Sequence, residues 1–329
     1  MFTRIFKYHT NFQIVFILLV ALALWLPAFS KGVAMTGTFD LSYGYNILFY
    51  KIYSIPWLYM GLAFILLLAE ALVLNTMLAE FKISPKNSYL SAFLYILLMS
   101  SSPNLLTLHP FLIVNAFIIA VLMLLLEIKN KDDCYREIFL CGILTGVGSL
   151  FYFKAVGLLI TIWIFILLYR SFTWREWFIS LLGVVTVYVY LFAYFFLKDQ
   201  LSVVLFDYRR VFSAMNFGGD FRTPSVYHYI TFALIVILFL ISTVKMFVLS
   251  HEKVIHVRKG LYAIFWLLAV NALSVLFLVK NLMYEFSYTL LPLSVLVAYY
   301  YLNLKKNLFG EIMLGLFIVS IILQKLFIS

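Results

Sequence analysis

Charge is what this chain has least of. Only 12% of its 329 residues are Asp, Glu, Lys or Arg, against about 25% in a soluble domain. A surface built from so few charges cannot be solvated, which excludes a soluble globular or disordered protein. Cysteine is nearly absent too. The two present, Cys134 and Cys141, fall near a loop that reads as cytoplasmic, so neither a disulfide nor a metal site is expected. The chain has no G-x-x-x-x-G-K-[ST], no H-E-x-x-H, no G-x-S-x-G and no aspartate-rich pair for a metal. Nucleotide-driven chemistry is therefore not expected to enter through this chain, and no cofactor is expected. There is no visible internal repeat, which weighs against inverted-repeat transporters. No low-complexity tract and no soluble domain is seen, and residues 1–329 read as a single integral membrane domain.

What is there is apolar surface: 65% hydrophobic residues and 19% aromatic. The expected fold class is all-α, a polytopic transmembrane helical protein. A span needs roughly 20 apolar residues. Eleven runs qualify, at 12–30, 56–80, 89–103, 110–128, 138–152, 155–170, 177–197, 229–249, 261–279, 284–302 and 308–327. The third and fifth are short enough to be half-helices or re-entrant. The basic start, MFTRIFKYH, leads into a run longer than a signal-peptide core, so it reads as a retained first helix. With the N-terminus inside, the inner connections, together with Arg4, Lys7 and Lys245, hold 15 of the 24 basic residues. That bias predicts a cytoplasmic N-terminus. The formal charge of +10 is a record of topology, not a sign of nucleic-acid binding.

Two outer segments carry the candidate chemistry. The first is 31–54, KGVAMTGTFDLSYGYNILFYKIYS, where Tyr43, Tyr45, Phe49, Tyr50 and Tyr53 stand at near-helical spacing behind Asp40. An aromatic helix of this kind lies flat at a membrane–water boundary and holds Asp40 at the lip of a cavity. The second is 198–228, which contains Asp199, Asp207, Arg209, Arg210, Asp220, Arg222 and His228. Guanidinium forks match phosphate oxygens, so these arginines are candidates for a phosphate cradle. The plainer alternative is a folded loop that pairs Asp207 with Arg210 and Asp220 with Arg222. His109 and Lys154 also face the outer side, and Lys280 stands close enough to Glu285 to pair with it. Glu70, deep in the second run with Asn75 below it, is either a proton or substrate site or a bond to a neighbouring helix.

The blocks NTMLAEFKISPKNSYLSAFLYILLMSSSPNLLTLHPFLIVNAFI (75–118), GVGSLFYFKA (146–155), FTWREW (172–177) and YLFAYFFLKDQL (190–201) resemble an uncharacterised family of polytopic inner-membrane proteins of the Bacteroidota. More loosely, the layout is similar to the GT-C superfamily of membrane glycosyltransferases, which use polyprenyl-phosphate sugars. In that superfamily a first outer loop carries an acidic catalytic residue and a membrane-parallel helix, and later basic loops hold the lipid phosphate. This resemblance implies a catalytic role for Asp40. It implies a phosphate-binding role for Arg209, Arg210, Arg222 and Lys154, with His109 and His228 beside them. A single carboxylate fits the metal-independent members, so no metal is implied.

The implied reaction is periplasmic, inverting transfer of a sugar, for which mannose is the leading candidate. The donor is a polyprenyl phosphate and the acceptor a protein or glycan hydroxyl. Implied partners are membrane lipid and, for a protein acceptor, exported chains and the secretion translocon. The alternative is a non-catalytic membrane subunit of a secretion or envelope-assembly complex, or a lipid-linked-glycan transporter.

Overall fold

The computed structural model describes Phe6 and residues 10–31, 42–49, 55–128, 133–170, 173–213, 226–276, 285–303 and 308–328. Among these the protein is all-α. The helices are α1 (Thr10–Lys31), α2 (Tyr43–Phe49), α3 (Pro56–Glu80), α4 (Leu90–Met99), α5 (Pro110–Ile128), α6 (Tyr135–Phe151) and α7 (Leu158–Tyr169). They continue with α8 (Trp174–Leu197), α9 (Leu201–Ser213), α10 (Val226–Ser250), α11 (Ile255–Leu276), α12 (Leu290–Asn303) and α13 (Leu308–Ile328). Short 3-10 turns at Phe153–Gly157 and Phe286–Thr289 lead directly into α7 and α12.

Each of the eleven apolar runs is helical over most of its length. Among the described residues, five helices (α1, α3, α5, α8 and α10) are long and apolar enough to cross a membrane by length and composition. The third run, expected to be short, yields the 10-residue α4.

The centre of the fold is a pair of short helices. Every residue of α4 is buried, as is every residue of α12 from Leu290 to Tyr301. A helix apolar on all sides has no solvated face and must sit inside other helices or lipid. Here α4 and α12 pack on each other, with α3, α10 and α11 around them. The outer helices show the opposite pattern. Phe12, Leu19 and Leu26 of α1, and Tyr190 and Leu197 of α8, are among many large apolar side chains left exposed. Apolar exposure on this scale is unfavourable in water and ordinary in hydrocarbon.

The closest helix pairing is α6 on α8, and glycine makes it possible. A methyl group on Gly142 would collide with the Ser180 carbonyl, and one on Gly183 would come within 2.6 Å of the Phe139 carbonyl oxygen. Gly146, one turn on, faces Val187. Small residues spaced four apart let two backbones meet, which is the main source of attraction between helices in lipid.

Long-range bonds sort the helix termini into two ends. At one end, Gln13 bonds the Asn87 carbonyl and the Tyr89 amide, Arg170 pairs with Glu176, and the Tyr169 hydroxyl reaches the His256 carbonyl. At the other, Tyr45 reaches Leu108, Tyr43 reaches Asp207, Lys154 reaches Glu285, and Lys325 reaches the Leu24 carbonyl. Each end gathers segments that the distribution of basic residues assigned to one side of a membrane.

Candidate functional site

The end that carries α2 and α9 is the candidate site. Helix α2 is the described part of the aromatic helix expected over 41–54. Its two tyrosines point to different neighbours. Tyr45 is buried and donates to the Leu108 carbonyl at 2.6 Å; Tyr59 of α3 donates to the same oxygen. Tyr43 donates to Asp207 Oδ2 of α9 at 3.1 Å. Burial, then the bond to Asp207, push the Tyr43 phenol above its ordinary range, so it acts as a neutral donor. Between the two, Gly44 lies so close to α6 that a methyl would stand 3.2 Å from Leu150. The short helix is thus clamped between α3, α6 and α9.

Helix α9 was read in sequence only as part of a long outer loop, and is the principal element missed. Its signal was present: Leu201, Val204, Leu205, Tyr208, Val211 and Phe212 follow helical spacing. The helix begins where α8 stops. Gln200 N–H bonds the Phe195 carbonyl and Asp199 N–H bonds the Phe196 carbonyl, the paired bonds of a Schellman stop, with Asp199 left-handed at φ 53°. Tyr208 then packs against Tyr43, Phe153, Tyr188 and Phe192, at ring separations of 5.8 to 6.4 Å. The opposite face leaves Val203, Phe206 and Arg210 exposed, and Leu205 and Arg209 are exposed on the flank. Apolar side chains interleaved with guanidiniums suit the boundary between acyl chains and headgroups, where the cations snorkel outward.

The remaining candidates fall in different places. Arg210 makes an exposed pair with Asp207, 3.7 Å apart; this is the pairing expected for a folded loop, and one charge on α9 is thereby partly used. The Lys154 side chain is 8% exposed and bonded to Glu285, which also accepts the Tyr152 hydroxyl at 3.3 Å. Sequence had suggested Lys280 for Glu285; Lys280 lies outside the described residues. A pair separated by 131 positions leaves no local signal in sequence. His109 is fully buried, and its Nδ1 accepts the Leu112 amide at 3.0 Å, capping the start of α5. Burial lowers its pKa to about 3, with the Leu105 carbonyl pulling the other way. A neutral ring has no charge to offer a phosphate. His228 is half-buried in the first turn of α10, and no described contact joins it to α9. Asp40 and Arg222 lie outside the described residues.

Glu70 has found the helix neighbour that one sequence reading gave it. It is 3% exposed and accepts the Tyr95 hydroxyl at 2.6 Å, while Asn115 Nδ2 donates to the same tyrosine oxygen at 3.1 Å. This links α3, α4 and α5 at the centre of the bundle, away from α2 and α9. The described residues contain no group of three or more His, Cys, Asp or Glu side chains arranged to hold a metal.

Comparison with protein-family models, with curated proteins and with solved structures finds no match to this chain.

Proposed function

We propose that the α2–α9 end receives the phosphate of a membrane lipid, and that the chain transfers a sugar from a polyprenyl-phosphate donor to a hydroxyl acceptor. The observation that carries the lipid part is α9 itself, with Arg209 and Arg210 exposed beside Val203, Leu205 and Phe206. A lipid tail lies against the apolar side chains while the guanidiniums reach its phosphate. The transfer part rests on Asp40, three residues ahead of the first residue of α2, and on the resemblance to GT-C enzymes. In that reaction the Asp40 carboxylate takes the proton of the acceptor hydroxyl. The oxygen attacks the anomeric carbon from the face opposite the phosphate, and the bond from that carbon to the phosphate oxygen breaks. The displaced phosphate keeps the electron pair, and Arg209 and Arg210 stabilise its charge. Lys154 and His109 are left out of this scheme because Glu285 and α5 occupy them.

The test is a transfer assay on purified protein with a polyprenyl-phosphate sugar. Asp40→Asn should lower the rate by about 10²–10⁴-fold at unchanged melting temperature. Arg209→Gln with Arg210→Gln should weaken donor binding. Transfer at the wild-type rate by Asp40→Asn removes the residue from the chemistry.

The buried Glu70–Tyr95–Asn115 group favours a second reading, a carrier that uses a buried carboxyl. Under that reading Glu70→Gln abolishes function and Asp40→Asn leaves it intact, the reverse of the enzyme pattern.

A further inference from the structure

At the end opposite α9, a cavity of about 380 Å³ opens between the α3–α4 turn, the α10–α11 turn and the last turn of α12. Three ammonium groups border it: Lys82 and Lys86 from the first turn, and Lys253 from the second. All three are exposed and none has an ion-pair partner among the described residues. The wall contributes Ser84, Tyr299 and Asn303. Ser84 is 7% exposed and Tyr299 4%. Their hydroxyl oxygens are buried and find no hydrogen-bond partner among the described residues. Buried hydroxyls are nearly always bonded; these two oxygens are covered by neighbouring atoms, and they belong to residues that line the cavity beside the three lysines.

The backbone adds a third observation. Helix α3 ends in a Schellman stop, with Ile83 N–H on the Leu78 carbonyl and Lys82 N–H on the Ala79 carbonyl. The left-handed position of that stop, at φ 59°, is taken by Lys82, where glycine is the usual residue. The stop projects the Lys82 side chain beside Lys86 at the rim of the cavity.

We propose that this cavity binds a phosphate-bearing anion, with Lys82, Lys86 and Lys253 supplying charge and the Ser84 and Tyr299 hydroxyls donating hydrogen bonds to the phosphate oxygens once the ligand has parted the side chains that cover them. Two sources share that chemistry: the headgroup of an anionic phospholipid and a soluble phosphate. Basic pockets between helix ends on the cytoplasmic side are suited to lipid headgroups, and by the distribution of basic residues this is the cytoplasmic end. The site is independent of the sugar-transfer reading, since it lies at the other end of the bundle and shares no residue with it.

The experiment uses the full chain in neutral detergent and four probes: phosphatidylglycerol, phosphatidic acid, inorganic phosphate and, as control, phosphatidylcholine. Binding of an anionic probe should fall at least about tenfold when Lys82, Lys86 and Lys253 are all replaced by Gln, since each lysine contributes several-fold. Tyr299→Phe, which removes one hydroxyl and keeps the ring, should weaken the same probe about threefold or more. Lys82→Gly separates ligand from fold: it relieves the left-handed backbone, so the protein should melt no earlier while the probe binds less tightly. Competition of inorganic phosphate with the bound lipid identifies a site open to soluble phosphate; lipid binding without such competition identifies a headgroup site. Undiminished binding by the triple variant overturns the proposal. So does a Tyr299→Phe variant that binds as well as wild type, because the lysines would then act only as surface charge.

Discussion

His109 enters the folded state as a neutral ring, because its Nδ1 accepts the Leu112 amide and its surroundings are fully buried. Its pKa falls from 6.5 to about 3. Between those two values the unfolded chain binds a proton that the folded chain does not, so stability falls as pH drops below about 6.5. Melting temperatures recorded from pH 7.5 to about pH 5 should decline more steeply for wild type than for His109→Asn, which keeps a cap acceptor without the titration. Parallel curves would show that the ring is not the titrating group. Lys154 and Glu285 make a second prediction at this scale. Their side chains are 8% and 12% exposed, so removing one partner strands the other. Lys154→Met or Glu285→Gln alone should cost about 3–5 kcal/mol, and the double variant should recover most of that. The readout is denaturant or thermal unfolding of all four proteins. If Lys154→Met abolishes lipid binding while leaving stability intact, Lys154 belongs in the phosphate site after all.

Among the elements, the junction of α6 and α8 has the least room to give. Gly142→Ala would drive a methyl into the Ser180 carbonyl of the facing backbone, and overpacking of this kind typically costs about 1–3 kcal/mol or more. Gly148, two turns along α6, offers a control. A methyl there meets Phe117 at 3.5 Å, an ordinary contact, so Gly148→Ala should be neutral or gain up to about 1 kcal/mol of helix propensity. Comparable losses from both would mean that helix propensity, not close approach, explains the first. Lys82 extends the argument to a helix end. Glycine there removes about 1–2 kcal/mol of left-handed strain against an entropic cost of about 0.5–1 kcal/mol, so the balance favours Lys82→Gly. This scale also shows how far sequence could reach. Long apolar runs fix the helices because only a helix satisfies its own backbone in lipid. The aromatic spacing before Phe49 located α2. Helix α9 was obscured because its spacing of apolar residues is interrupted by Asp207, Arg209 and Arg210, which read as a charged loop. The candidate site was legible only where its residues are local. Arg209 and Arg210 are adjacent, whereas Tyr43–Asp207 and Lys154–Glu285 join positions 164 and 131 residues apart, and nothing in a linear pattern pairs them.

Over the whole molecule, the structure has a centre that is shorter than its shell. At 1.5 Å per residue, the 10 residues of α4 reach roughly 15 Å, half of the approximately 30 Å of bilayer hydrocarbon. From Ser100 to His109 the chain leaves the α-helix, with a 3-10 turn at Pro103–Leu105 and Leu105 to His109 buried, and irregular backbone is tolerated at that depth only inside protein. The partner that covers α4 is α12, and Met99 and Leu290 are separated by 191 positions. At about 5–20 residues per second, a ribosome needs roughly 10–40 s to make that interval. During this time α4 is packed on α1 and α3 but lacks α12, and membrane chaperones or proteases can reach its uncovered face. A nascent chain arrested before Leu290 should therefore be cleared quickly, whereas one released after Asn303 should persist; pulse–chase of such truncations would read the difference. The short central pair thus sets the order of events in the life of the protein: α1 to α11 are laid down first, and the middle closes only once α12 has been made.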